Sequence, residues 1–421
     1  MSVVVVGGGW AGCAAALAAV KVGARVLLFE RTDALLGTGQ VGGIMRNNGR
    51  FTAAEEMTFM GAGELFELTD RLARHRDVEF PGHKHASLYD VTRIEPELRK
   101  LLLSAGVEIY LRSRVTGVRM SGRRIQAVAF EGKTEVGGDV FVDATGSSGS
   151  QGNCSKYGNG CAMCVLRCPS FGPRVSLAAK AGAEEVVALT EGGQMGAMSG
   201  ACKLLKESLA PEVRNQLEAK GVVVIPVPPE LRKAEGLSIK CCQQYNLPEF
   251  EENIVLLDTG HAKLMSPYYP LEMLRQIPGF ENALYRDPYA GGLGNSVRFL
   301  AVAERDIQLK VVGVENLYCG GEKAGILVGH TEAIVTGTLA GFNAARHAVG
   351  QKPRSIPTST AVGDLIAYSG AQLMFEEGLK KKITFSGSAY FARMKELGFY
   401  TTDRDEIAER VARAGMRSVF K

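Results

Sequence analysis

Apolar and polar positions follow one another along this chain with two alternating periods. Ser2–Val6 is an unbroken β-branched run bounded by glycine, the pattern of a short strand buried on both faces. Ala11–Val22 is alanine-rich and closed by Gly23, which predicts a helix, and Arg25–Glu30 predicts a second strand that ends on an acid. Together they form a β–turn–α–β unit. From Gly37 to Pro81 the pattern is mixed, with helical signals around Ala53–Arg74. Arg93–Ser104 predicts a helix. Alternation at Val107–Leu111, Val115–Met120 and Ile125–Phe130 predicts three strands with Gly122 in a turn, and Val140–Asp143 a further buried strand. After a long cysteine-bearing stretch, Leu317–Cys319 predicts a strand leading into a long helix, Thr331–Val349. No internal repeat is present.

The first turn carries chemistry. Gly7-x-Gly9-x-x-Gly12 follows a strand and opens a helix, and Glu30 ends the next strand, as a dinucleotide fingerprint requires. The glycines admit a pyrophosphate to free N–H groups at the helix N-terminus, and Glu30 accepts hydrogen bonds from a ribose diol. Two later segments favour FAD over a nicotinamide nucleotide. Asp143-Ala144-Thr145-Gly146 at a strand end resembles the second motif of two-domain flavoproteins. Cys319-Gly320-Gly321-Glu322, followed by the helix that starts near Gly329, resembles their closing flavin motif. Gly42 and Gly43 are further cofactor-binding candidates. No second Gly-x-Gly-x-x-Gly follows a strand, so NAD(P)H is left open as an electron donor without a motif of its own.

These segments define the expected fold class. It is α/β, a Rossmann-type FAD-binding core formed by N- and C-terminal segments, with an inserted α+β lobe and a helical C-terminal appendage. The expected boundaries are 1–146 for the first part of the FAD domain, 147–298 for the inserted lobe, 299–350 for the closing part and 351–421 for the appendage.

Composition narrows the class further. Of 421 residues, 46% are hydrophobic and 22% charged, and Gly7, Gly8 and Gly9 interrupt the apolar N-terminus. No stretch is apolar for the eighteen or more residues of a membrane span, so a soluble, cytoplasmic protein is expected. A formal net charge of +4 is too small to indicate nucleic acid or an anionic membrane by itself.

Nine cysteines in a cytosolic chain call for an explanation other than disulfides. Cys154-x6-Cys161-x2-Cys164-x3-Cys168-Pro169 supplies one. Its last part has the spacing of the bacterial ferredoxin run, which predicts a [4Fe-4S] cluster. Zinc is the alternative metal, and Cys241 or Cys242 is the alternative fourth ligand to Cys154.

The C-terminal half carries a family resemblance. Leu274–Ala283, Glu315–Gly321, Glu332–Arg346 and Pro357–Tyr368 resemble the folate- and FAD-dependent tRNA uridine methyltransferases and the related GidA flavoproteins. The resemblance implies an FAD enzyme with the flavin between the Rossmann core and an inserted lobe, and RNA as substrate. Those families carry a cysteine in the loop after the second strand, where this chain has Gly42-Gly43-Ile44-Met45-Arg46-Asn47-Asn48. Covalent attack on a uracil ring lacks its thiol here, which disfavours RNA.

Among single residues, His330 at the start of the closing helix is a candidate for proton transfer, or alternatively a polar capping residue. Lys323 is a candidate to stabilise an anionic flavin. His83 and His85 are read as surface loop, and Lys380-Lys381-Lys382 and the cations of Arg112–Arg124 as solvated charge. The leading functional expectation is a flavin and [4Fe-4S] oxidoreductase that couples two-electron to one-electron transfer. It would act on a small molecule or a redox carrier protein such as ferredoxin. The alternatives are an RNA-modifying flavoenzyme with a structural metal and a non-enzymatic redox-sensing module.

Overall fold

The structure is a computed structural model and describes residues 1–132, 134–146, 171–193, 197–198, 202–233, 237, 242–266, 269–286, 297–298 and 300–421.

The first valine run does what its pattern predicts. Strand β1 (Ser2–Val6) lies between β2 (Arg25–Phe29) and β10 (Val140–Asp143), and Val3, Val4 and Val5 are fully buried. With β6 (Glu108–Tyr110) and β19 (Leu317–Cys319) these make a five-stranded, all-parallel sheet in the order β19–β10–β1–β2–β6. A parallel sheet needs helices over it, because its crossovers lie on its faces. Helix α1 (Trp10–Lys21) packs along the closing helix, designated α7 (His330–Ala348). Two glycines one helical turn apart permit that approach. A Cβ at Gly337 would lie 2.2 Å from the Ala11 carbonyl oxygen, and one at Gly341 would lie 2.0 Å from that of Ala15. The alanines of α1 thus meet backbone directly.

Between β2 and β6 the chain makes α2 (Gly39–Gly42), β3 (Ile44–Met45), α3 (Gly49–Phe59), α4 (Glu64–Arg71), β4 (Ala73–Phe80), β5 (His83–Tyr89) and α5 (Ile94–Ser104). The β3–β5–β4 sheet is not evident from the apolar pattern. Along β4 only Val78 and Phe80 are buried, so the strand offers little hydrophobic alternation to read. Its partner is set by the turn at Gly82, which has a φ of +73°. Of the three strands expected after α5, β7 (Val115–Ser121) and β8 (Arg124–Phe130) pair as a hairpin, but their third neighbour is β9 (Glu135–Gly137), while the expected first strand, β6, joins the parallel sheet beside β2.

The inserted lobe contains β11 (Glu185–Val187), β12 (Ala197–Met198), β13 (Lys203–Leu204), helix α6 (Pro211–Lys220), β14 (Val222–Pro226), β15 (Asn253–Asp258), β16 (Ala262–Leu264), β17 (Val297–Arg298) and β18 (Ala301–Ala303). Its sheet, β13–β16–β15–β14, has a hydrophobic cluster of its own around Leu204, Leu217, Leu256, Phe280 and Ile277.

The C-terminal segment is helical as expected, with α8 (Ala361–Gln372), α9 (Glu376–Lys380), α10 (Ser388–Glu396) and α11 (Arg404–Arg413), and its buried residues pack into the main core. Ala361, Leu365, Tyr390, Val411 and Phe420 belong to the same core as β1. Glu56 on α3 accepts from the Ala361 and Val362 N–H groups at 3.0 Å and pairs with Arg410 at 3.2 Å. A buried carboxylate therefore caps α8 from the FAD domain, where free N–H groups favour negative charge. Among the described residues no helix is long and apolar enough to cross a membrane.

Candidate functional site

The fingerprint glycines divide by the space around them. Gly7 has a φ of +103°, and a Cβ there would sit 2.3 Å from the Ala144 carbonyl oxygen. A Cβ at Gly12 would sit 1.8 Å from the Gly7 carbonyl oxygen. Both are glycine because the chain closes on itself. Gly9 caps α1, and a Cβ there meets nothing within 4 Å. Open space at a helix start with no acidic residue in its first turn and no side-chain cap suits a pyrophosphate. Glu30 is buried at the end of β2 and accepts from the Gly8 N–H (2.8 Å), the Thr32 N–H (2.9 Å) and the Thr32 hydroxyl (2.9 Å). A carboxylate has about four acceptor positions, so one remains for a ribose hydroxyl.

The second motif folds tightly over the same end of the sheet. Fully buried Asp143 accepts from the Thr145 N–H and hydroxyl and from the Ala178 N–H. Gly146 follows with a φ of +76° and faces the Glu322 carboxylate, while Gly320 packs against Gly337. Gly321, φ +68°, donates its N–H to the Thr336 hydroxyl at 2.8 Å. The N- and C-terminal candidates thus converge around one edge of the parallel sheet.

A second cluster gathers where α7 begins. Gly329 has a φ of +143°, and a Cβ there would lie 2.0 Å from both Arg50 and Glu332. His330 packs so closely on Gly42 that a Cβ at Gly42 would fall 1.7 Å from the ring, and Gly43 (φ +77°) packs on Thr259 in the same way. Tyr89 donates its hydroxyl to the Gly39 carbonyl at 2.6 Å and contacts His330 Nδ1 at 3.2 Å. Because the tyrosine has one proton to give, Nδ1–H of His330 is the donor of that second bond. In that tautomer Nε2 is the acceptor nitrogen of the ring.

Several polar residues of this cluster carry no signal in the sequence. Arg50 Nε contacts both oxygens of Glu332 at 3.1 Å, and Arg50 also reaches the Val328 carbonyl, the Thr384 hydroxyl and Asn47 Oδ1. Lys203 and Lys263, buried side by side on β13 and β16, donate to the carbonyls of Gln40, Val41 and Gly42. Thr259 Oγ1 is buried beside Gly43 with no hydrogen-bond partner among the described residues. An orphaned hydroxyl next to a glycine cradle fits a polar cofactor edge.

Other expectations need correction. Lys323 is almost fully buried and pairs with Glu185 at 2.7 Å while donating to the Ala301 carbonyl at 2.9 Å, so it ties the closing segment to the β11–β18 ladder. His83 is not surface loop. It is 2% exposed, with Nδ1 near Asn47 Nδ2 (3.0 Å) and Nε2 near the Gln244 carbonyl (3.1 Å), and burial lowers its pKa to about 3. Lys382 is likewise buried, and its ammonium donates to the Leu189 carbonyl. Asn47 and Asn48 of the 42–48 loop are both buried, and Asn48 donates to the carbonyls of Gly82 and Ser386.

Cys154, Cys161, Cys164, Cys168 and Cys241 lie outside the described residues. Of the described cysteines, Cys13 and Cys319 are buried; burial pushes the Cys13 thiol well above its usual range and that of Cys319 up to about 12, which keeps both protonated. Among the described residues no group of three His, Cys, Asp or Glu side chains could hold a metal ion.

Fold and site together define an FAD-dependent α/β protein of Rossmann type. Residues 2–149 match the family described as FAD dependent oxidoreductase, and residues 249–352 the family described as glucose inhibited division protein A. Within that class the chain is GidA/TrmFO-like. It is 35% identical over 103 residues to the methylenetetrahydrofolate–tRNA-(uracil-5-)-methyltransferase TrmFO of Thermus thermophilus, and 33% over 96 residues to that of Caldicellulosiruptor bescii. Each match covers 23% of this chain and 21% of the relative's own length. The structure of Aquifex aeolicus GidA aligns over 100% of this chain and 74% of its own, with a TM-score of 0.69 and 17% identity.

Proposed function

We propose that the protein is an FAD-dependent enzyme that modifies a base in RNA. One observation carries the reading. The GidA match spans 249–352, which here runs from the inserted sheet through β19 into α7 and includes Thr259, Lys263 and His330. That segment forms the wall facing Gly42 and Gly43. The likeness therefore extends beyond the nucleotide fingerprint to that wall, and the TrmFO relatives are by name tRNA methyltransferases.

FAD supplies two-electron or hydride chemistry when bound. This chain's residues do the rest. Gly9 with the start of α1 would receive the pyrophosphate, in the turn that Gly7 and Gly12 close, and Glu30 would receive the adenosine ribose. Thr145, Gly146, Gly320, Gly321 and Glu322 close over the middle of the cofactor. Gly42, Gly43 and Gly329 let His330, Thr259 and the Arg50–Glu332 pair pack directly against the backbone beside the flavin site, and His330 would accept or return a proton there. No cysteine stands in the 42–48 loop, so base activation by a thiol from that loop is not part of this scheme.

The test is an assay of purified, FAD-loaded protein on unmodified tRNA and rRNA. Reductant is supplied with and without methylenetetrahydrofolate, and nucleosides are read by mass spectrometry. A new modified nucleoside that disappears in His330→Gln supports the reading. An unchanged RNA profile under every reductant overturns it.

A second reading rests on the cysteine spacing alone. Cys161-x2-Cys164-x3-Cys168-Pro169 suits a [4Fe-4S] cluster, which with Cys154 would make the inserted lobe an electron relay to the flavin, served by a carrier such as ferredoxin.

A further inference from the structure

A polar cleft of about 290 Å³ is lined by Arg71, Arg74, His75, Asp90, Arg93 and Glu218 with Leu72 and Ala73. It has room for about ten water volumes, enough for a phosphodiester and its hydration. The walls come from the end of α4, the start of β4, the β5–α5 connection and α6, so both the FAD domain and the inserted lobe contribute.

Charge bookkeeping separates its floor from its rim. Arg74 is anchored between two carboxylates, Nε to Asp258 at 3.0 Å and the adjoining nitrogen to Asp90 at 3.2 Å. Asp258, fully buried, also takes Lys206 at 2.6 Å and His75 at 3.0 Å. The two carboxylates at the floor are therefore matched by two permanent cations. Arg71 and Arg93 are different: they are exposed, as Arg74 is, but neither makes an ion pair among the described residues. Among the described lining residues Glu218 alone stands against them, leaving the rim with a positive excess. The remaining N–H groups of Arg74 are held in place by its anchors, and planar guanidinium groups in that arrangement recognise phosphate oxygens.

The cleft also has a defined relation to the flavin cradle. The β15–β16 turn separates them. Thr259 of that turn packs on Gly43, while Gly260 lies so close to Asp90 that a Cβ there would be 2.7 Å from Oδ1. The Val91 N–H donates to the Thr259 carbonyl at 3.0 Å, fixing the turn between the two sites.

We infer that this cleft is a backbone-phosphate subsite for the RNA substrate, with Arg71 and Arg93 as contact cations and Arg74 as a fixed one; the inference rests on the RNA reading above. Phosphate contacts position a nucleic acid without reading its sequence, which is the task of a site one turn away from the reacting base.

The test measures binding of a fluorescent, unmodified tRNA transcript to the FAD-loaded full chain across a salt series. Arg71→Ala/Arg93→Ala is compared with Lys395→Ala/Arg413→Ala on the C-terminal helices. The first pair should weaken binding on the order of tenfold at 0.1 M salt and make the plot of log K against log salt shallower by about two. Its flavin absorbance should remain that of the parent. The second pair should leave affinity and slope within about twofold of the parent. If the parent binds and the Arg71/Arg93 variant binds equally well, or if both pairs weaken it alike, the subsite is wrong while the RNA reading stands. If the parent binds no RNA at any salt concentration, both fall together.

Discussion

Arg50 and Glu332, 282 positions apart, face each other in the interior with Arg50 Nε at 3.1 Å from each carboxylate oxygen. The side chains are 4% and 0% exposed. Glu332 also accepts from the Thr384 hydroxyl (2.7 Å) and the Phe385 N–H (2.8 Å), so one carboxylate joins α3, the start of α7 and the C-terminal segment. Breaking such a pair strands a charge. Arg50→Ala is expected to lose about 3–5 kcal/mol in urea unfolding, and Glu332→Ala a similar amount. The double variant should lose clearly less than the sum. Additive losses would show that the two groups act separately.

Gly9 and Gly12 should fail in different ways. Gly9→Val has space in the folded chain and should unfold at the parental urea concentration but elute without FAD. Gly12→Val drives a side chain into the Gly7 carbonyl and should yield little folded protein. Mass analysis of released cofactor and circular dichroism of both variants decide it. FAD at parental occupancy in Gly9→Val would move the pyrophosphate elsewhere.

His83 predicts a pH dependence. Burial holds its folded pKa at about 3, below the ordinary 6.5. The unfolded chain therefore binds the extra proton between those values, and stability falls as pH drops through that window and is flat for this group above it. The slope approaches about 1.4 kcal/mol per pH unit. Between pH 6 and 4.5, before most carboxylates titrate, His83→Gln should flatten the dependence of unfolding free energy on pH. An unchanged slope would assign the loss to other groups.

The cysteine run is tested by metal analysis of anaerobically purified protein. About four irons per chain, lost in Cys164→Ala with FAD retained, would support the cluster. Cys202 lies buried in the inserted-lobe core, so Cys202→Ala is expected to cost stability but keep both cofactors. Zinc in the parent, or full iron in Cys164→Ala, would remove the electron relay.

His330 and Tyr89 give a graded expectation. With FAD retained in both, His330→Gln should lower turnover on RNA by about 10²–10⁴-fold, the range of a positioned proton-transfer group. Tyr89→Phe, which frees the imidazole to change tautomer, should lower it by a smaller factor and shift the pH profile. Equal turnover in His330→Gln would leave His330 as a packing residue against Gly42.

The sequence by itself determined the local elements whose signals are contiguous. The valine run of β1, the glycines at 7, 9 and 12, Glu30, and the apolar strands Val140–Asp143 and Leu317–Cys319 each announce themselves within a few residues, because strand burial and phosphate approach constrain neighbouring positions together. What only the tertiary structure decided are the relations between distant side chains. Arg50 meets Glu332, Lys263 reaches the carbonyls of α2, Lys323 is spent on Glu185, and His83 is buried neutral by a hairpin that the charged pattern of β4 conceals. The C-terminal helices join the main core for the same reason: amphipathic periodicity shows that a helix has a buried face, and only packing and capping contacts, such as Glu56 on the start of α8, show what that face is buried against.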